Sequence, residues 1–267
     1  MSQSAGFWCT PNCDPYLNMA IDEWLFGAMA DSGPDLAAAL RLYTWASPAI
    51  TIGYNQDSNR AVDWSQIDSN LPVIRRITGG RAIFHDPYEI TFSFCARLEA
   101  LPEALRGLSQ TNALISLAVV ESFSEVGITA SWAQNSDRSF KMAGNSADKS
   151  CFNSLSKYEI IADGRKIAGG AQRRIGSSLI HQGSLKVNGI QPFPAIGQRP
   201  RADEAIGPGN PMRKYSIEDF RAVLPGVFSS IFGLAFVPMA VSPRHQQEID
   251  VLRRNLKQNS LSRRGIF

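Results

Sequence analysis

Arg75-Arg-Ile-Thr-Gly-Gly-Arg-Ala-Ile-Phe-His-Asp86 and, after Pro87-Tyr88, Glu89-Ile-Thr-Phe-Ser-Phe-Cys-Ala96 decide the fold. Residues 73–76 and 82–85 read as short strands around a Gly79-Gly80 turn. Residues 89–96 form a further strand, rich in β-branched and aromatic side chains. A glycine pair lets backbone approach a ligand closely and presents N–H groups to it. From spacing alone a solvated tight turn explains the same residues, and both readings stay open.

Upstream, Arg41-Leu-Tyr-Thr-Trp45 and Ala49-Ile-Thr-Ile-Gly53 read as strands and 59–68 as a short helix. Asp14-Pro15 opens a helix as N-cap and first residue, with Leu17, Ala20, Ile21, Trp24, Leu25 and Ala28 at helical spacing. Downstream, 102–126 reads as a helix with Leu105, Leu108, Ile115, Val119, Phe123 and Val126 on one face, stopped by Gly127. Residues 157–162, Asp163-Gly164 and 165–168 suggest a hairpin with a type I′ turn, and 178–187 another strand. Ser216 and Asp219 resemble a capping box ahead of a helix that Pro225 is expected to kink. Ser242-Pro243 starts a last helix. Hairpins mixed with helices predict an α+β fold: a mixed or antiparallel sheet core with packed helices. We expect one catalytic domain over 1–267, with long loops near 134–150 and 188–214 and C-terminal helices near 216–257 packed on it.

Composition narrows the function. With 44% hydrophobic and 19% charged residues in 267, the chain is globular, not disordered or fibrous. A net charge of +3 is too mild for a bulk nucleic-acid binder, so no nucleic-acid partner is expected. The N-terminal stretch has neither a basic nor an apolar leader region, so no signal peptide is expected, and 222–243, though uncharged, is broken by prolines and glycines. A cytoplasmic protein without a membrane span is expected. Cys9, Cys13, Cys95 and Cys151 suit neither a disulfide framework nor, with only His85, His181 and His245 in the chain, a zinc site. No metal or cofactor is expected.

A second chemical segment is Gly164-Arg-Lys-Ile-Ala-Gly-Gly-Ala-Gln-Arg-Arg174. Here Lys166 follows the tight turn, and Gly169 and Gly170 are read as packing nothing, which favours close approach by a ligand over a charged edge strand. Residues 157–186 hold six Lys/Arg against two acids, an excess of four positive charges that suits an acidic partner. Cys151 stands in Lys149-Ser-Cys-Phe152, where the polar loop meets the next strand; a nearby ammonium would raise its thiolate fraction, although a free cysteine is more often a small buried hydrophobe. Cys95 ends an apolar strand and reads as core.

The segment from Arg75, with Asn18–Glu23, Trp45-x-x-Pro48 to Gln56, Cys151-Phe152, Tyr158-Glu159, Gly164 to Gln172 and Gly183-Ser184, resembles the biotin/lipoate protein ligase superfamily over roughly residues 15–190. It is most similar to the LipM-type octanoyltransferases of the lipoate pathway. Two departures stand out. The family usually has Gly-Ser-Ala-Gln where this chain has Gly169-Gly-Ala-Gln172. It usually has Gln-His-Gly where this chain has His181-Gln-Gly183, which moves an imidazole to the opposite strand face.

The resemblance implies an acyltransferase without cofactor. It would move octanoyl from octanoyl-acyl carrier protein to a lysine of a lipoyl domain, such as a glycine cleavage H protein or an E2 subunit. By motif, Cys151 is the nucleophile that forms a thioester acyl-enzyme, and Lys166 its acid–base partner. Arg76, Thr78, Gly79, Gly80, Arg81, His85, Gly169, Gly170, Ala171, Gln172 and Gly183 would bind substrate. Backbone N–H groups at one glycine pair would face the oxyanion. A monomer is expected. The alternatives are an ATP-dependent lipoate-protein ligase, an octanoyl amidotransferase between lipoyl domains, and a non-catalytic carrier-binding module.

Overall fold

The computed structural model describes residues 3–30, 36–132, 159–163, 165–188, 193–196 and 215–260. The elements in chain order are β1 (Gln3–Cys13), α1 (Pro15–Ala30), β2 (Ala38–Trp45), β3 (Ala49–Ile52), α2 (Ser58–Ala61), β4 (Val73–Arg75), β5 (Ile83–His85), β6 (Ile90–Arg97), α3 (Leu108–Glu125), β7 (Ser131–Trp132), β8 (Ile160–Ala162), β9 (Arg165–Ile175), β10 (Ser178–Leu185), α4 (Ile217–Phe232), β11 (Leu234–Pro238) and α5 (Pro243–Gln258). The main sheet runs β11-β1-β2-β6-β10-β9-β8-β7, and a small sheet runs β4-β3-β5. β1 is parallel to β11 and β2, while the β2-β6-β10-β9 centre is antiparallel, so the sheet is mixed, as expected.

Both faces of the main sheet are covered. Phe92, Phe94, Leu179 and Leu185 pack with α3 and α4. Cys95 and Ile180, one residue out of phase, pack with α1 and α5. This is strand alternation, and it explains why every residue of β10 is buried. Cys95 is core, and burial pushes its thiol well above the usual range.

Helix ends follow the local sequence. Asp14 Oδ1 accepts from Leu17 N, Ser216 and Asp219 form the capping box, and Ser242 Oγ accepts from His245 N ahead of Pro243. Pro225 lies inside α4, which runs unbroken to Phe232. The C-terminal part packs back on α1: Arg253 pairs with Asp14, and Trp24 donates to Glu248.

Several expectations need correction. β1 was not foreseen, because Pro11 and Asn12 interrupt its pattern. The strand absorbs them in a bulge between Thr10 and Cys13, with Asn12 at φ +53°. The 59–68 helix is α2 plus a 3₁₀ turn, Trp64–Gln66, each started by an aspartate that accepts a backbone N–H. The 102–126 helix begins only at Leu108, since Pro102 and Gly107 hold the preceding turn apart, and Leu108 is 55% exposed. The hairpin has Asp163 at φ +48°, as a type I′ turn requires, but its second strand continues through both glycines to Ile175. Gly164 and most of the two expected long loops lie outside the described residues.

Candidate active site

The glycine loop is built by arginines. Arg76 is buried, and its guanidinium donates to Thr78 Oγ1, to Thr51 O and Oγ1, and to the carbonyls of Gly79 and Arg81. Arg75 ties down the neighbouring segment through the carbonyls of Gly53, Tyr54 and Gln56. Gly80 sits at φ +88°, where a side chain is strained, and a Cβ on Gly53 would lie 2.0 Å from Gly80 O. Of the three arginines only Arg81 is exposed.

A buried chain anchors this loop to the core. Thr78 Oγ1 donates to Gln182 Oε1 at 2.6 Å, and Gln182 Nε2 donates to Asp22 Oδ2 at 2.6 Å. Asp22 also receives Arg41 Nη1 at 2.8 Å, Tyr43 OH and Ser93 Oγ. Arg41, fully buried, completes its donors with Asn18 and Thr10. Each polar group in this dry region is therefore paired, as burial demands.

A second hub is Glu89. It meets Lys186, His85 Nδ1 at 2.9 Å, Thr91 Oγ1 and Ser184 Oγ, while His85 Nε2 faces Thr51 Oγ1 at 2.8 Å. Burial opposes ionisation of Glu89, but the charges of His85 and Lys186 and their hydrogen bonds outweigh it and hold the carboxyl at about 2. Burial pulls His85 below its ordinary value, against the opposing pull of the Glu89 carboxylate. Trp45 stacks on His85 with centroids 4.0 Å apart.

Two cavities meet at a wall of small residues. One, mostly apolar, is lined by Met19, Tyr43, Trp45, Arg76, Ile83 and His85. The other, more polar, lies under α3 and is lined by Asn112, Ser116, Glu159, Gln172 and His181 beside Phe92 and Ile115. Gly80, Gly169, Gly170, Ala171 and Gly183 border both. Lys166 Nζ donates to Glu159 Oε1 at 2.6 Å, and both side chains are nearly buried.

The strand glycines do pack, contrary to expectation. A Cβ on Gly169 would lie 2.8 Å from Lys166 Cε, and one on Gly170 2.2 Å from His181 Nε2. Gly183 likewise makes room for the Phe92 ring. Lys166 shares a face with Gly169 because the β8–β9 register shifts beside Ile160 and Ile161, reversing the alternation. Gln172 meets Asn112 and Arg174.

The basic face also needs redrawing. Lys166 and Lys186 are buried in ion pairs. Arg173 donates to Ile77 O and lies over Tyr54, while Arg174 holds Arg106 O, Gly107 O and Thr111 Oγ1. Arg165 and Arg81 remain exposed. Cys151, with Phe152, Lys157 and Tyr158, lies outside the described residues. Burial raises the other three thiols, Cys9, Cys13 and Cys95, so none of them is activated. Among the described residues no group of three or more His, Cys, Asp or Glu could hold a metal, and no helix is long and apolar enough to cross a membrane.

Sequence reasoning assigned no role to Asp22, Arg41, Glu159, Gln182 or Lys186. Charged residues inside apolar periodic segments were the available signal for Asp22 and Arg41.

Comparison with known proteins gives this mixed sheet, with its two cavities joined at a glycine-rich wall, a family. The Lipoyl protein ligase A/B catalytic domain family matches residues 14–204, and the chain belongs to that family. It is 30% identical over 259 residues to Octanoyltransferase LipM of an Exiguobacterium species, covering 91% of this chain and 92% of the relative. It is 32% identical over 256 residues to Octanoyltransferase LipM of Symbiobacterium thermophilum, covering 88% and 89%. These relatives place it among the acyltransferases. Its fold matches lipoate-protein ligase A bound with ATP, at TM-score 0.67, 20% identity and 95% coverage of both chains. It also matches a structure from work on an archaeal lipoylation system, a bipartite lipoate protein ligase and its E2 lipoyl domain from Thermoplasma acidophilum, at TM-score 0.69, 18% identity and coverage of 94% and 92%.

Proposed function

We propose that this enzyme moves octanoyl from octanoyl-acyl carrier protein to a lysine of a lipoyl domain through a thioester on Cys151. The observation that carries the reading is the buried Lys166–Glu159 pair, set against Gly169 at the wall shared by two cavities. The apolar cavity ending at Trp45 and His85 suits an uncharged acyl chain. The octanoyltransferase relatives supply the acyl class, and the Thermoplasma ligase, described together with its E2 lipoyl domain, supports the acceptor class.

The chemistry balances in two steps. The Cys151 thiolate attacks the donor thioester carbonyl. The tetrahedral oxyanion collapses with loss of the carrier thiolate, which takes a proton from the Lys166 ammonium. The acceptor lysine, as a free amine, then attacks the acyl-enzyme. Neutral Lys166 takes its proton, the amide forms, and Cys151 leaves as thiolate. Glu159 Oε1 accepts a hydrogen bond from Lys166 Nζ and holds it in place. Backbone N–H groups at Gly79-Gly80 or Gly169-Gly170 face the oxyanion.

Octanoyl-carrier protein and a lipoyl domain, incubated without ATP and read by intact mass, test this. The acceptor should gain one octanoyl group, and the enzyme with donor alone should gain one that maps to Cys151 and is absent from Cys151→Ala. An absolute need for ATP and free octanoate would establish a ligase instead. An active Cys151→Ala would remove the acyl-enzyme.

A further inference from the structure

His181 belongs to none of the networks that hold the glycine loop. Its ring is 6% exposed and packs parallel to Phe92, and its Nδ1 is buried without a hydrogen-bond partner. Such an atom is uncommon in a native protein unless a ligand or water completes it. Burial pulls the imidazole down to about 4, so at neutral pH it is uncharged, with one nitrogen donating and one accepting. The ring fills the space a side chain at position 170 would take, so it has this place only because Gly170 is a glycine.

The cavity His181 faces has a definite chemistry. Asn112, Ser116 and Gln172 supply uncharged polar groups, and Phe92, Ile115 and Val119 supply apolar surface. The acidic side chain among its described lining residues, Glu159, is engaged by Lys166. Among the described residues no cationic side chain is part of its lining, and Lys166 beside it is engaged by Glu159, which argues for a neutral ligand bearing both amides and methyl groups. The wall it shares with the apolar cavity runs past Gly169, against which Lys166 lies. A thioester held at that wall with its acyl chain in the apolar cavity directs its thiol arm to the polar one.

We propose that the polar cavity beneath α3 receives the pantetheine-type arm of the acyl donor, with His181 as a hydrogen-bond partner of an arm amide. This rests on the carrier-thioester reading above and deepens it. Gly170 and His181 then form one device: the glycine makes the room and the imidazole makes the contact.

The histidines report on both cavities, since His85 lines the apolar one, His181 the polar one and His245 neither. The full chain, labelled with ¹⁵N-histidine, is titrated separately with reduced pantetheine and with octanoate. Pantetheine should shift the His181 ring signals saturably and leave His245 still. Octanoate should shift His85 and leave His181 still. In His181→Phe, which keeps an aromatic ring on Phe92, preference for octanoyl-pantetheine over an amide-free octanoyl thioester should fall about 5- to 10-fold, as for one neutral hydrogen bond. Octanoate moving His181 while pantetheine does not, or pantetheine moving neither ring, overturns the proposal. The titration needs no turnover. A missing Cys151 adduct would therefore defeat the transferase reading and leave the arm site to be judged by its own signals.

Discussion

Replacing Gly170 by serine tests the tightest contact of the site. The new Cβ would lie 2.2 Å from His181 Nε2 and 2.9 Å from Gln182 O, against an ordinary contact of 3.4 Å or more. The imidazole would have to retreat by more than 1 Å, but Phe92 stacks on it, with centroids 5.8 Å apart. Overpacking of this kind costs ~1–3 kcal/mol. In a protein of this size that lowers Tm by about 2–12 °C, at roughly 2–4 °C per kcal/mol. Gly170→Ser with His181→Gln places the family's usual pair at these positions. The flexible glutamine should recover part of the loss, and the Gln182 carbonyl should retain the rest. Thermal and urea unfolding of wild type, both single variants and the double variant gives the coupling, expected at ~0.5–3 kcal/mol for touching residues. A Gly170→Ser protein as stable as wild type, or a strictly additive cycle, would refute the steric argument.

The other expectations follow from the same geometry. Lys166→Ala should lower turnover by about 10²–10⁴, and Lys166→Arg should not rescue it, because guanidinium does not release its proton; single-turnover kinetics with octanoyl-carrier protein decide this. Because the folded His181 titrates at about 4 and the unfolded one near 6.5, stability from this group is complete above pH 6.5. It falls between 6.5 and 4 by on the order of 3 kcal/mol, a loss that should vanish in His181→Phe when unfolding is followed against pH. Gln182→Leu strips one partner from Asp22 and one from Thr78. It should destabilise by ~1–3 kcal/mol and impair turnover through the loosened glycine loop, measurable by unfolding and by kcat. Reversing exposed Arg165 to Glu should raise KM for the carrier-bound donor and flatten its salt dependence, whereas Arg173→Glu should mainly destabilise, since Arg173 holds a backbone carbonyl. Equal KM effects of the two reversals would restore the wider basic face.

The sequence by itself determined the local elements and the order of the motifs. Asp14-Pro15, Ser216 with Asp219, and Ser242-Pro243 place three helix starts, because a cap is a contact between residues three apart. The strand alternation in 89–96 already sends Phe92 and Phe94 to one face and Cys95 to the other. β1 was not legible, since its parallel partners lie in distant parts of the chain and its own pattern is broken at Pro11-Asn12. The site divides in the same way. The glycine pairs, Lys166 and His85 stand out as residues, but their roles depend on what meets them. A register shift turns Lys166 toward Gly169 and beside Glu159, against the parity its spacing implies. Gln182 reaches Thr78 across 104 residues, and His181 reaches the gap at Gly170 across a strand pair. Such contacts pair side chains through backbone register and burial, which belong to the assembled sheet and not to any one segment of chain.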